Sequence, residues 1–264
     1  MKGLALMSGA RPVVTGALVA IVGVSALAQR GGYQGGGFRG RESYTGSYSG
    51  NVRYDGRFTF VRVSYADYYG FRGPFWAHDY PRGEEHFMKI MEALTAVPVH
   101  VEEHNIMSLS DPDIFKYPLI YMCEPGHWSM TDAEAASLRA FLLKGGFLLL
   151  DDMRYRDWGN LELQMSRVLP EGQWKDIDSS HPIFHSFYEI SEPENIPQYY
   201  DPGKPIFRGI FENNDPARRL MVFVNYNTDI SEFWEWSDTG YKPIDENNEA
   251  FKVGVNEFMY GIIH

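Results

Sequence analysis

From residue 57 onward, short continuous apolar runs take turns with apolar residues at helical spacing. "RFTFVRVSYA", 57–66, concentrates Phe58, Phe60, Val61 and Val63 and predicts a buried strand. The polar loop "DYYGFRGPFWAHDYPRG" follows. Phe87, Ile90, Met91 and Leu94 then recur at i, i+3, i+4 and i+7, one face of an amphipathic helix. "VPVHV", 97–101, and "YPLIYM", 117–122, predict two further strands. Thr131 and Glu134 have the spacing of a capping box, in which each side chain satisfies the other's free backbone N–H. The helix they open buries Leu138, Phe141 and Leu142 and stops at Gly145-Gly146, because glycine takes the left-handed cap conformation cheaply. "FLLLDD", 147–152, is too short for a helix and too apolar for a surface, so it predicts a central strand. Leu161, Met165 and Val168 predict another helix. "FYEI", "PIFRGIF" and "LMVFVNYN" are strand candidates, and Phe251, Val255, Phe258, Met259 and Ile262 share one face of a closing helix. Strands alternating with helices predict an α/β fold, a mostly parallel sheet flanked by helices on both faces.

The first 56 residues follow neither period. Lys2 and Arg11 are the only charges in 1–28, and the uncharged run 12–28 ends in Ala26-Leu27-Ala28. A basic start, an apolar middle and a small-x-small end have the form of a secretory signal peptide. The run is short for a membrane span, which needs roughly 20 apolar residues. The expected localisation is therefore periplasmic or otherwise exported, with cleavage near Ala28; the alternative is an anchor formed by residues 12–28. Residues 29–56, rich in Gly, Ser, Tyr and Arg, are expected to be a flexible linker before a domain spanning 57–264.

Composition narrows the partners. The chain has 44% hydrophobic and 15% aromatic residues, enough for a packed core. Its net charge of −11 opposes nucleic acid and anionic membrane, and it favours cations, neutral glycans or basic proteins. The single cysteine, Cys123, allows no internal disulfide. There is no P-loop, no Gly-x-Ser-x-Gly and no basic recognition stripe.

"WAHDYP", "IYMCEPGHWSMTDAEAASLRAFLLKGGFLLLDD", "HPIFHSFY" and "FKVGVNEFMYGI" resemble, in order and spacing, the domain of unknown function family 4159, over roughly residues 57–264. That family is similar in fold to the class I glutamine amidotransferase-like superfamily, a flavodoxin-like arrangement. The resemblance implies this fold and a cell-envelope context, and it brings no reaction with it.

In a parallel α/β sheet, ligands bind beyond the carboxyl ends of the strands. Those ends carry Trp76, His78, Asp79 and Tyr80; then Cys123, Glu124, His127 and Trp128; then Asp151, Asp152, Arg154 and Trp158; then Asn225, Tyr226 and Asp229. A cysteine at a strand tip invites a nucleophile reading. Amidotransferase-like enzymes resemble Gly-x-Cys-x-Gly there, whereas Tyr121 and Pro125 flank Cys123. The expected thiol is buried and inert, without a cysteine triad. Asp151 and Asp152 are adjacent acids, of which strand alternation lets only one enter a shared site; paired acids suit a cation or acid–base work, and the alternative is that one caps the next element and the other meets Arg154 or Arg156. His181 and His185 lack the glutamate of a zinc helix, so a structural turn is expected. Five of the six tryptophans follow strand ends, either as loop anchors or as a sugar platform.

The candidate pocket is Trp76, Asp79, Glu124, His127, Asp151, Asp152 and Asn225, with no diagnostic metal-ligand spacing and no cofactor expected. The function expected is that of an exported, non-catalytic binding or assembly module of the bacterial cell envelope, with envelope proteins or glycans as partners. The alternatives are a hydrolase using the acids and histidines at the strand ends, or a glycan-binding protein with a tryptophan-rimmed cleft. Membrane contact is expected only if the amino-terminal segment stays uncleaved. N-terminal sequencing of the exported protein should begin at or near Gln29; an intact Met1 in the membrane fraction would make the segment an anchor.

Overall fold

The computed structural model describes residues 50–68, 74–196 and 202–264. The expected signal peptide and most of the expected linker lie outside the described residues. Among those described, no helix is long and apolar enough to cross a membrane.

The strands are β1 (Phe58–Ser64), β2 (Ala66–Asp67), β3 (Val99–Ser108), β4 (Leu119–Cys123), β5 (Trp128–Ser129), β6 (Phe147–Met153), β7 (Trp174–Asp176), β8 (Ile206–Phe211) and β9 (Leu220–Tyr226). The helices are α1 (Arg82–Leu94), α2 (Asp132–Leu143), α3 (Trp158–Val168), α4 (Ile230–Glu235) and α5 (Ile244–Ile263). Seven strands form one sheet in the order β3-β1-β4-β6-β9-β8-β7, and β2 pairs with β5 apart from it. The five strands from β3 to β9 run parallel, while β8 and β7 add antiparallel. The four strand segments with the strongest apolar runs therefore lie side by side, with their carboxyl ends at one edge.

Alternation along each strand sorts the core into two layers. Phe60, Tyr121, Leu149 and Phe223 pack with Phe87 and Met91 of α1 and with α4 and α5. Val61, Ile120, Leu148 and Val222 pack on the other face with α2 and α3. Gly254 lets α5 approach α4 closely, since a Cβ there would lie 2.3 Å from Cζ2 of Trp234. Helix α2 begins with the Thr131–Glu134 capping box. It ends with Gly146 N–H bonded to Phe141 O and Gly145 N–H to Leu142 O, Gly145 standing at φ +112°.

Two local expectations need revision. "FYEI", 187–190, is not a strand. The N–H groups of Phe187 and Tyr188 instead bond Oδ1 of Asn256 on α5, at 3.0 and 2.7 Å, so no strand partner is needed. The end of the linker is also engaged, with Asn51 Nδ2 on Ile106 O and Val52 N–H on Asn105 Oδ1, each at 2.8 Å.

The feature that organises the carboxyl edge is a buried cation. Arg62, in the middle of β1, is 1% exposed and forms an ion pair with Glu84 in the first turn of α1. Its Nη1 donates to the carbonyls of Trp76 at 2.8 Å and His78 at 2.9 Å. Its guanidinium also lies 4.9 Å from the centre of the Tyr121 ring. One side chain thus ties β1, β4, α1 and the loop 74–81 together. Removing one member of a buried pair leaves the other without a counter-charge, so Arg62→Met should lower the unfolding free energy by about 3–5 kcal/mol in urea titration. Arg62→Met combined with Glu84→Gln should recover part of that loss; a single-variant loss under about 1 kcal/mol would show that the pair does not organise the edge.

Candidate functional site

The carboxyl edge is built on strained turns. Asp79, Glu124, Asp152 and Asn227 have φ of +62°, +46°, +52° and +59°, a region that costs non-glycine residues roughly 1–2 kcal/mol. Such positions concentrate where a fold must aim side chains that regular strands would not. The sharp turn after β4 falls on Glu124, not on Cys123. The Tyr65 hydroxyl lies 2.8 and 2.7 Å from the carbonyl oxygens of Cys123 and Glu124, and Glu124 N–H bonds Asp151 O at 3.1 Å.

Asp151 and Asp152 point to different duties. Asp151 is fully buried and accepts from the N–H groups of Ile230 at 3.2 Å and Ser231 at 2.9 Å, at the start of α4. It also accepts from the Tyr121 hydroxyl at 3.1 Å. Burial outweighs these bonds and pushes its carboxyl up to about 6. Asp152 instead lies with Oδ2 2.8 Å from Nδ1 of His78. The Ser231 hydroxyl donates to Oδ2 of Asp79 at 2.6 Å, so Ser231 links Asp79 to Asp151.

His78 stands at the centre. Its side chain is 25% exposed, with Nε2 3.8 Å from Oδ1 of Asp79. Burial alone would lower its pKa, but Asp79, with Asp152 and the Cys123 thiol, raises it far above the ordinary imidazole value. Asp229, Glu232 and Glu235 of the α4 region complete an acidic group with Asp79. Burial raises the Asp229 carboxyl well above its usual range, and burial together with Asp79 and Glu232 pushes Glu235 up to about 8. Glu232 has a cation nearby, Lys242 Nζ at 3.3 Å.

The seven candidate residues divide. Asp79, Asp151 and Asp152 meet around His78 and Ser231. Glu124 adjoins them through its backbone. His127 lies in a neighbouring group, stacked on Phe75 at 3.7 Å with Nδ1 3.9 Å from Asp67. Trp76 is buried and contributes its carbonyl to Arg62. Asn225 faces Glu257 of α5. Sequence reasoning placed His78 and Asp229 at strand ends but left them out of the pocket, and it missed Ser231, Glu232 and Glu235 altogether. The signal available was Asp229-x-x-Glu232, an N-cap pattern that marks a helix start, and Asp229 does accept Glu232 N–H at 3.0 Å.

Other candidates resolve structurally. Cys123 is buried beside His78 and Asp152, and burial raises its thiol well above the ordinary value, which disfavours a thiolate. Trp76, Trp128 and Trp234 are core residues. His181 accepts from Ile183 N–H, and His185 bonds Glu189 and Ser179 O, both within a 3-10 turn and its flanks.

Residues 59–262 match the family model described as Domain of unknown function (DUF4159), and the chain belongs to that family. No curated protein matches it.

Glu257 offers a test of the buried electrostatics. It is 1% exposed, with Asn225 as the polar side chain beside its carboxyl. Burial, reinforced by Asp151, holds its pKa well above the ordinary 4.5. The unfolded chain therefore releases this proton at lower pH than the folded chain does. Stability from this group is full below about pH 4.5 and falls as pH rises toward the folded value. Glu257→Gln should match the wild type in thermal melts at about pH 4.5 and exceed it at about pH 8; a variant less stable at both would contradict a neutral buried carboxyl.

Proposed function

We propose that this family member is an exported hydrolase on an amidotransferase-like fold, with its chemistry carried by His78 and the acids at the carboxyl edge of the sheet. The observation that carries the reading is a partly exposed histidine, oriented by Asp152 at 2.8 Å, in a group of buried carboxylates. The buried guanidinium nearby, Arg62, is engaged by Glu84 and the loop carbonyls. An arginine-saturated cluster would favour an assembly role instead. Asp152 holds Nδ1 and fixes the ring, which leaves Nε2 for exchange with a substrate or water. Glu235, titrating near neutrality, is placed to exchange a proton with substrate or water. The order β1-β4-β6-β9 and the left-handed turn at Glu124 support the amidotransferase-like placement, and the amino-terminal pattern supports export.

A binding module of the cell envelope is the second reading. It is favoured by a concavity of about 390 Å³ at the opposite edge of the sheet, lined by Met165, Leu169, Gln173, Trp174 and Ile210. Chromogenic esters, amides, glycosides and phosphoesters offered to the full chain separate the two. Hydrolysis of one class should fall at least about 100-fold in His78→Gln and in Asp152→Asn, with circular dichroism unchanged. No turnover in any class, or turnover indifferent to both substitutions, would overturn the hydrolase reading.

A further inference from the structure

We propose that His78, Asp79 and Asp229 bind a divalent transition-metal ion of the zinc or manganese class. The proposal deepens the hydrolase reading and rests on it for its catalytic meaning, but it is tested by binding rather than turnover. One nitrogen and two carboxylate oxygens of these residues lie within 4.8 Å of one another. An octahedral ion with bonds of about 2.1 Å sets neighbouring ligands about 3 Å and opposite ones about 4.2 Å apart, so the three side chains would close in on a bound ion.

The acids are not merely close together. Asp229 is 3% exposed; its Oδ1 caps α4, and its Oδ2 accepts no hydrogen bond. Asp79 is 4% exposed; its Oδ2 accepts from Ser231, while its other oxygen, Oδ1, faces His78 Nε2, and Glu235 lies beside the same carboxylate. Each carboxylate is thus oriented by one oxygen and presents the other, and a buried oxygen of this kind is costly unless a cation or proton meets it. The histidine is prepared in the same way. Asp152 on Nδ1 sets the tautomer with Nε2 as the ligating atom and makes it more basic, as carboxylate–histidine–metal arrangements do. Asp79 also belongs to a set with Glu232 and Glu235. Glu235, partly exposed, offers a further ligand on the solvent side, where an ion would enter.

Donor chemistry selects the ion. An imidazole beside carboxylates suits zinc, manganese, cobalt or iron, whereas magnesium and calcium prefer oxygen alone. Two overlapping sets are less suited. In His78–Cys123–Asp152 the carboxylate already holds Nδ1 and the thiol is sealed in the core. In Asp79–Glu232–Glu235 there is no imidazole, and Lys242 already neutralises Glu232.

The test is calorimetric titration of the EDTA-treated full chain with zinc, manganese and cobalt chlorides, with magnesium and calcium for comparison. One equivalent of zinc, manganese or cobalt should bind and raise the melting temperature, and magnesium and calcium should do neither. Asp229→Asn, which keeps the helix cap, and His78→Gln should each weaken binding at least about tenfold, the lower end of what losing a metal-site group costs. His185→Gln, on the surface, should leave it unchanged. Cobalt on the wild-type chain needs no variant: its visible spectrum should show nitrogen and oxygen ligation without a thiolate charge-transfer band. Absence of one-to-one binding, affinity indifferent to both site variants, or a thiolate band would overturn the site. A metal complex without turnover upholds the site and sinks the hydrolase reading; EDTA-insensitive turnover without metal binding does the reverse.

Discussion

The carboxyl edge of this domain depends on one buried guanidinium. Arg62 sits inside β1, where a strand residue is normally apolar, and its charge is met by Glu84 across the α1 interface. The same side chain donates to the backbone of the loop before α1, at Trp76 and His78. A buried pair of this kind contributes little net stability compared with an apolar pair, yet breaking it is costly. Its use here is positional. Arg62 holds the backbone of the loop 74–81 from below, while Asp152 and Ser231 hold the side chains of His78 and Asp79 over β6 and α4.

That placement brings like charges together. Asp79, Asp152, Asp229, Glu232 and Glu235 converge on a single imidazole, with Lys242 on one flank. Burial and mutual repulsion raise the carboxyls of Asp229 and Glu235, and the acids raise the histidine's hold on a proton. The left-handed backbone at Asp79 and Asp152 adds local strain at the same spot. Strain and uncompensated charge in one place mark a site organised for a ligand rather than for stability alone.

The fold was largely legible because its signals are local. Phe58 to Val63, Phe147 to Asp152 and the Thr131–Glu134 cap each carry a period or a cap that tertiary contacts reinforce. "FYEI" misled because its backbone donors are taken by Asn256, a partner 68 residues or more along the chain. The site was legible only as an edge. Strand ends located Asp79, Asp151 and Asp152, but alternation could not say that Asp151 turns to the α4 backbone and Asp152 to His78. Nor could spacing reveal that Ser231 joins Asp79 to Asp151, or that the turn falls at Glu124 one residue past the cysteine.

Long-range ¹H–¹⁵N correlation of the His78 ring, in the wild type and in a folded Glu84→Gln variant, tests the central claim most directly. If the Arg62–Glu84 pair holds the loop, the wild-type ring keeps a slowly exchanging proton on Nδ1, bonded to Asp152, across neutral pH. Glu84→Gln loosens the loop and that proton becomes fast-exchanging. A His78 ring that titrates near its ordinary value in the wild type, or that is indifferent to Glu84→Gln, would contradict the account.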